Sequence, residues 1–193
     1  SRTKMRTLLG VPEDAYLVSL VSRATFYKGL DFAIQVIAEL IAITRERPVY
    51  AIHCGDGPDI GAFRALAAEK RIADRFLFLG RRADVRAILA CADVALHPSR
   101  GEAMSLAVLE FMCAGLPVVV PDDPSVCSAI KDGISGLIYP AGNVFAAVHA
   151  LQKLYEDESM RRRLGETART ACLREHSIEE TNRAFGTLVV AHL

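Results

Sequence analysis

The chain has 193 residues, enough for one well-buried domain and short for two. Half of it is hydrophobic (51%) and a quarter charged (24%), and 23 Lys plus Arg balance 23 Asp plus Glu. Zero net charge without a basic tract excludes an electrostatic footprint for nucleic acid, and no apolar run is long enough to span a bilayer.

Strand and helix signals alternate along the chain. Residues 1–14, SRTKMRTLLGVPED, read as a linker leading in from a preceding segment, and no signal peptide pattern is visible. An apolar strand is expected over 16–22 and a helix over 29–44. A second strand over 49–54 is followed by the turn Gly55-Asp56-Gly57-Pro58 and a helix to about Lys70. A third strand over 76–79 precedes a short helix over 84–91. A fourth over 93–97 leads through Pro98, Ser99, Arg100 and Gly101 to a helix over 106–114, capped by Ser105 and ended by Gly115 and Pro117. A fifth strand over 118–120, a short helix over 125–131 and a sixth strand over 137–139 follow. From Val144 the chain reads as helical, with breaks near 157–159 and 176–177 and a final helix over 177–193.

Short, wholly apolar strands joined by helices imply a parallel sheet covered on both faces. Right-handed crossovers then make a single Rossmann-like, doubly wound α/β domain over 15–176, with about six parallel strands. Ligands of such sheets bind beyond the carboxyl ends of the strands. Three loops leave those ends, over 23–28, 55–58 and 98–105, and they should converge on one crevice.

Glu110 is the only charged residue between Ala103 and Pro121. A carboxylate buried without a partner costs several kcal/mol, so Glu110 either points to water or meets a ligand. It lies roughly 7 Å along the helix axis from Ser105, on side chains that lean toward the N-terminus. An anion on the free N–H groups of the first turn would leave Glu110 facing whatever the anion carries, such as a sugar hydroxyl. Arg23 and Lys28 flank the loop before the first long helix, where cations are disfavoured unless an anion is bound. Two cations and a helix end make a phosphate clamp; two exposed side chains are the plain alternative. Gly55 and Gly57 let a backbone approach a ligand closely, or simply make a turn.

Other motifs are missing. There is no G-x-G-x-x-G after the first strand and no G-x-x-x-x-G-K-[ST], which argues against a dinucleotide dehydrogenase and a P-loop NTPase. His53 and His97, at strand ends, read as structural. Ser99 and Ser105 have no evident histidine–acid arrangement, so a hydrolase triad is not expected. Arg161, Arg162 and Arg163 read as a solvated helix face, with weak attraction to anionic lipids as the minor alternative. The five cysteines lack a C-x-x-C pair and read as buried free thiols of a reducing, cytoplasmic compartment, and the five scattered histidines show no metal-ligand spacing.

Taken together, the motifs are far more specific. The chain carries R-x4-K-G after the first strand, GDGP after the second, FLG and RR after the third, and PS-x-x-E-x7-E-x4-GLPVV after the fourth. It resembles the C-terminal, donor-binding half of retaining GT-B glycosyltransferases of family four, the glycosyl transferases group 1, over about 11–176. The resemblance implies that Arg23 and Lys28 hold the diphosphate of a UDP- or GDP-sugar. It implies that Glu110 binds the ribose and that Glu102 lies near the transferred sugar and the reacting centre. Ala103, Met104, Ser105 and Leu106 would meet the distal phosphate and sugar through backbone amides, and Gly80, Arg81 and Arg82 would line the base pocket.

It further implies hexosyl transfer to a glycan or lipid-linked acceptor without a metal or other cofactor. The acceptor-binding half would lie outside this chain, and the full-length protein would work in the cytoplasm or at the inner face of the membrane. Ala103 and Ser105 stand where the family often has Gly, and Ser22 where Gly usually precedes the Arg. A GT-B relative with other chemistry on the same ligand, and a binding module without catalysis, are alternatives. The retained set of Arg23, Lys28, Glu102 and Glu110 argues against loss of catalysis.

Overall fold

The computed structural model describes residues 1–101 and 105–175. In chain order its elements are α1 (Arg2–Leu9), β1 (Tyr16–Val21), α2 (Leu30–Ile43), β2 (Val49–Cys54), α3 (Ile60–Glu69), β3 (Phe76–Gly80) and α4 (Val85–Leu89). Then follow β4 (Val94–Leu96), α5 (Leu106–Cys113), β5 (Val118–Pro121), α6 (Pro124–Cys127), β6 (Gly136–Tyr139), α7 (Val144–Glu156) and α8 (Glu158–Glu175). The expected final helix over 177–193 lies outside the described residues.

The six strands form one sheet in the order β3-β2-β1-β4-β5-β6, and every strand pair is parallel. The order reverses between β1 and β4, the switch point at which doubly wound sheets bind ligands. Alternation along the strands divides the core in two. Tyr16, Val18 and Leu20 of β1 pack with α2, α3 and α7 on one face. Leu17, with Val118 and Val120 of β5, packs with α4, α5 and α6 on the other. Helix α8 reaches both faces, through Leu164 on the first and through Ala168 and Cys172 on the second.

The structure adds to the sequence reading in three places. Residues 1–14, expected as a linker, contain α1, which is capped by Ser1 and closed by Gly10 at φ 70°. The helix is polar, and two arginines tie it to the start of β4: Arg2 bonds Ala92 O at 2.9 Å and Asp93 Oδ1 at 2.7 Å. Arg6 is fully buried and donates to the carbonyl oxygens of Cys91, Pro12, Glu13 and Ala15 and to Asp93 Oδ2. Helix α6, expected to reach Lys131, ends at Cys127.

The third difference concerns the cysteines. Cys113 and Cys172 are joined in a disulfide with Cα atoms 5.7 Å apart, so the expectation of five free thiols fails for this pair. Packing of α5 on α8 brings together residues 59 apart in the chain, a proximity that spacing alone does not show. Cys54, Cys91 and Cys127 are free.

Candidate functional site

A cleft of roughly 880 Å³ opens at the carboxyl ends of the strands across the β1/β4 switch point. Each wall comes from a loop whose path local chemistry dictates. After β1 the chain runs through Ser22 and Arg23 to a single 3-10 turn, Phe26–Lys28, closed by Gly29 at φ 70°. Residue 29 must be glycine, because a Cβ there would sit 2.1 Å from the carbonyl oxygen of Pro98. After β2, Gly55 (φ 145°) and Gly57 press against this loop; a Cβ on either would lie 1.9 Å from Ser22 O or 2.3 Å from Ala24 O.

The loops are stitched by backbone bonds. Ala24 N donates to Asp56 O at 3.0 Å, Asp59 N to Ala24 O at 3.2 Å, and Gly55 N to Gly80 O at 2.8 Å. The loop after β4 joins through Arg100, whose backbone N–H donates to Tyr27 O at 3.1 Å. Its guanidinium bonds Phe26 O and pairs with Asp31 Oδ2 at 2.8 Å.

The cleft is lined by Arg23 and Lys28 from the first loop, Gly55, Asp56 and Gly57 from the second, and Arg81 and Arg82 from the third. Ser105, Leu106, Ala107 and Glu110 of α5 complete it, with Ser22, His97, Val21, Cys54 and Val85 at its floor and sides. Thus nine of the site residues expected from the sequence, Arg23, Lys28, Gly55, Gly57, Arg81, Arg82, Ser105, Leu106 and Glu110, face one cavity, and Gly80 is not among its lining residues. Glu102, Ala103 and Met104 lie outside the described residues.

Ser105 caps α5, its hydroxyl accepting from Val108 N at 3.4 Å, so the N-terminal end of that helix points at the cleft. Glu110 sits on an exposed stripe of the helix, while Val108, Phe111 and Met112 are buried behind it. Lys28 Nζ lies 5.9 Å from the centroid of the Tyr27 ring. Arg82 is bound in a fork to Asp84, at 2.8 Å and 2.7 Å, and the Arg82 hydrogen bond holds the Asp84 carboxyl below its ordinary range. Arg81 belongs to the same wall. Burial pushes the Cys54 thiol up to about 11, so it is a neutral lining group and not a nucleophile.

Two histidines read as structural from the sequence turn out to be wired to the walls. His53, fully buried, has Nε2 3.0 Å from Ser22 O and 3.2 Å from Ser22 Oγ. Burial lowers its pKa to about 4, which leaves it neutral and donating from Nε2 to the Ser22 carbonyl. His97 ends β4 with Nε2 2.9 Å from Ser105 Oγ. Neither partner was visible from sequence, since no periodicity relates them. The only signal was a polar residue closing each of two apolar strands. Among the described residues, no group of three or more His, Cys, Asp or Glu side chains could hold a metal ion.

The sheet order and the cleft at the switch point define a Rossmann-like, doubly wound domain. Over residues 1–171 the chain matches the family Glycosyl transferases group 1, and it belongs to that family. It is 25% identical over 186 residues to the N-acetyl-alpha-D-glucosaminyl L-malate synthase of Bacillus anthracis, a match covering 96% of this chain and 48% of the relative. The chain therefore spans about half the length of such relatives.

Its fold matches that of Anabaena HepE in complex with UDP, with a TM-score of 0.90 at 21% identity, covering 98% of this chain and 52% of that one. It also matches the C-terminal domain of the Francisella tularensis glycosyl transferase LpcC, with a TM-score of 0.81 at 16% identity, covering 92% of this chain and 94% of that one. The architecture is the C-terminal half of a GT-B glycosyltransferase.

Proposed function

We propose that this chain is the donor half of a retaining glycosyltransferase that moves a hexosyl unit from a nucleoside diphosphate sugar, UDP- or GDP-linked, to a glycan or lipid-linked acceptor. The observation that carries the reading is the convergence of Arg23, Lys28, the N-terminal end of α5 and Glu110 on one cleft at the switch point. Two cations and free backbone N–H groups suit a diphosphate, and an exposed carboxylate one and a half turns into the helix suits the ribose diol.

Departure of the diphosphate from the anomeric carbon develops negative charge. Arg23, Lys28 and the α5 N-terminal end stabilise it in place, so the chemistry is proposed to run without a metal. Gly55 and Gly57 allow the donor to approach the backbone, and Gly80, Arg81 and Arg82 form the base wall. Glu102 is proposed to act beside the transferred sugar, with Ala103, Met104, Ser105 and Leu106 offering amides to the distal phosphate and sugar. The acceptor would be held by a half outside this chain, and the whole protein would act in the cytoplasm, at the inner membrane face for a lipid-linked acceptor. Of the described residues, no helix is long and apolar enough to cross a membrane.

Isothermal titration with UDP, GDP and ADP, with and without EDTA, tests the reading. Binding of at least one diphosphate, unaffected by chelator and lost in the double variant R23A/K28A, is expected. Absence of binding by all three, or an absolute need for a divalent cation, overturns it. Sugar transfer by the full-length protein separates a transferase from a module that only binds.

A further inference from the structure

We propose that His97 is a positioning residue that turns the Ser105 hydroxyl into a hydrogen-bond donor for the donor's distal phosphate. The inference rests on the donor-binding reading above and deepens it. His97 is 2% exposed and faces the same cleft as Ser105, with its Nε2 2.9 Å from Ser105 Oγ. The residue is held at its backbone and at its ring. Its backbone N–H donates to Val119 O at 3.0 Å, and its ring meets Phe111 of α5 edge-on, with centroids 6.3 Å apart.

A serine hydroxyl has one proton and two lone pairs. One lone pair of Ser105 Oγ already accepts from Val108 N at 3.4 Å. If the hydroxyl spends its proton on His97 Nε2, it presents only a lone pair to the cleft and repels an anion. If His97 carries its proton on Nε2 and donates, both lone pairs are used. Among the described residues no further acceptor is recorded for the hydroxyl proton, which then points into the cleft. A phosphate there selects the second arrangement, because a bond to a charged acceptor is stronger than one between neutral groups. Ser105 thereby adds a side-chain donor to the backbone amides at the start of α5, and His97 fixes its sense.

The test compares dissociation constants of a nucleoside diphosphate and the monophosphate of the same base (UDP with UMP, GDP with GMP) for the native protein, S105A, S105G, H97F and H97Q. S105A and H97F are expected to lose about tenfold in diphosphate affinity, as for loss of one charge-assisted bond, and less than twofold in monophosphate affinity. The double variant S105A/H97F should be no weaker than S105A. H97Q, whose amide can donate in place of Nε2, should keep most of the native preference. A purely structural role for His97 would weaken both nucleotides alike and leave their ratio unchanged.

Should H97F fail to fold, S105G carries the test, since glycine retains most of the capping preference while lacking the hydroxyl. Diphosphate binding with native di-to-monophosphate ratios in S105A and S105G overturns this inference alone. Absence of diphosphate binding by the native protein overturns it together with the donor reading.

Discussion

The α-carbon of Gly29 lies against the carbonyl of Pro98, so closely that a Cβ on residue 29 would stand 2.1 Å from the oxygen. This contact joins the loop after β1 to the loop after β4 across the switch point, and it sets the distance between the cationic wall and the α5 wall of the cleft. Gly29 is also in the left-handed region, at φ 70°. Replacement with alanine adds about 1–2 kcal/mol of backbone strain to a clash with immovable backbone. G29A should therefore lose more than about 3 kcal/mol in urea unfolding, within the range of severe core lesions, and any folded fraction should bind nucleotide more weakly because Lys28 is displaced. Native stability in G29A would show that the two loops do not depend on each other.

In the proposed function Glu110, which lines the cleft, accepts from the ribose. E110Q keeps the size and removes the charge, and charge-assisted hydrogen bonds contribute about 1.5–3 kcal/mol each. Nucleoside diphosphate affinity should fall by about tenfold or more. A 2′-deoxy nucleotide should bind the native protein less tightly and lose little further in E110Q. Titration of both nucleotides against both proteins closes a double-mutant cycle, and a coupling energy near zero would remove Glu110 from the ribose.

Arg6 holds α1 and the turn before β1 to the start of β4. It is fully buried and pairs with Asp93 at 2.9 Å, while Asp93 also accepts from Leu17 N at 2.8 Å. R6M would leave that carboxylate with only the part-exposed Arg2, 2.7 Å away, as its ionic partner and strip the carbonyl oxygens of Cys91, Pro12, Glu13 and Ala15 of their donor, at a cost of up to about 3–5 kcal/mol. R6M/D93N should cost less than the sum of the two single changes, because neither substitution then leaves the other's charge without its buried partner. Strict additivity in chemical denaturation would show that the pair is not coupled.

His53 gives the fold an acid sensitivity whose sign is set by burial. In the unfolded chain the ring takes up a proton near pH 6.5, and in the folded chain only near 4. Between these values the unfolded state holds more protons, so stability falls as pH drops. The contribution is full above about pH 6.5 and lost progressively down to about 4, by at most about 3 kcal/mol at 1.36 kcal/mol per pH unit. H53Q, which can still donate to Ser22 O, should flatten the stability profile between pH 6.5 and 4. An unchanged profile would assign the acid sensitivity elsewhere.

The Cys113–Cys172 bond closes a long loop between α5 and α8. For a separation of 59 residues the chain-entropy account gives about 4 kcal/mol of stabilisation as an upper figure. Thiol titration of the denatured protein without reductant should find three reactive groups, Cys54, Cys91 and Cys127, and all five after reduction. C113S/C172S should melt at a lower temperature than the oxidised protein and at nearly the same temperature as the reduced one. Five reactive thiols without reductant would contradict the bond.

Much of the architecture could be read before any coordinates, because its causes are local. Runs such as YLVSLV and VYAIHC are too short for buried helices and apolar on both faces, which only a covered parallel sheet accommodates. Ser105 and Gly115 bracket α5 through capping chemistry that acts within a turn. Arg23, Lys28 and Glu110 stood out because a charge next to a helix end or inside an apolar run costs free energy unless something offsets it. The rest depended on long-range packing. Helix α1 is polar and reads as a linker, and it is held by two arginines, Arg2 and Arg6, whose partners lie up to 91 residues away. The Cys113–Cys172 bond, the His53–Ser22 pair and the His97–Ser105 pair depend on how strands and helices stack. Hydrophobic periodicity determines which face of each element is buried, whereas the distance between two polar side chains on different elements is set only when the sheet closes around its core.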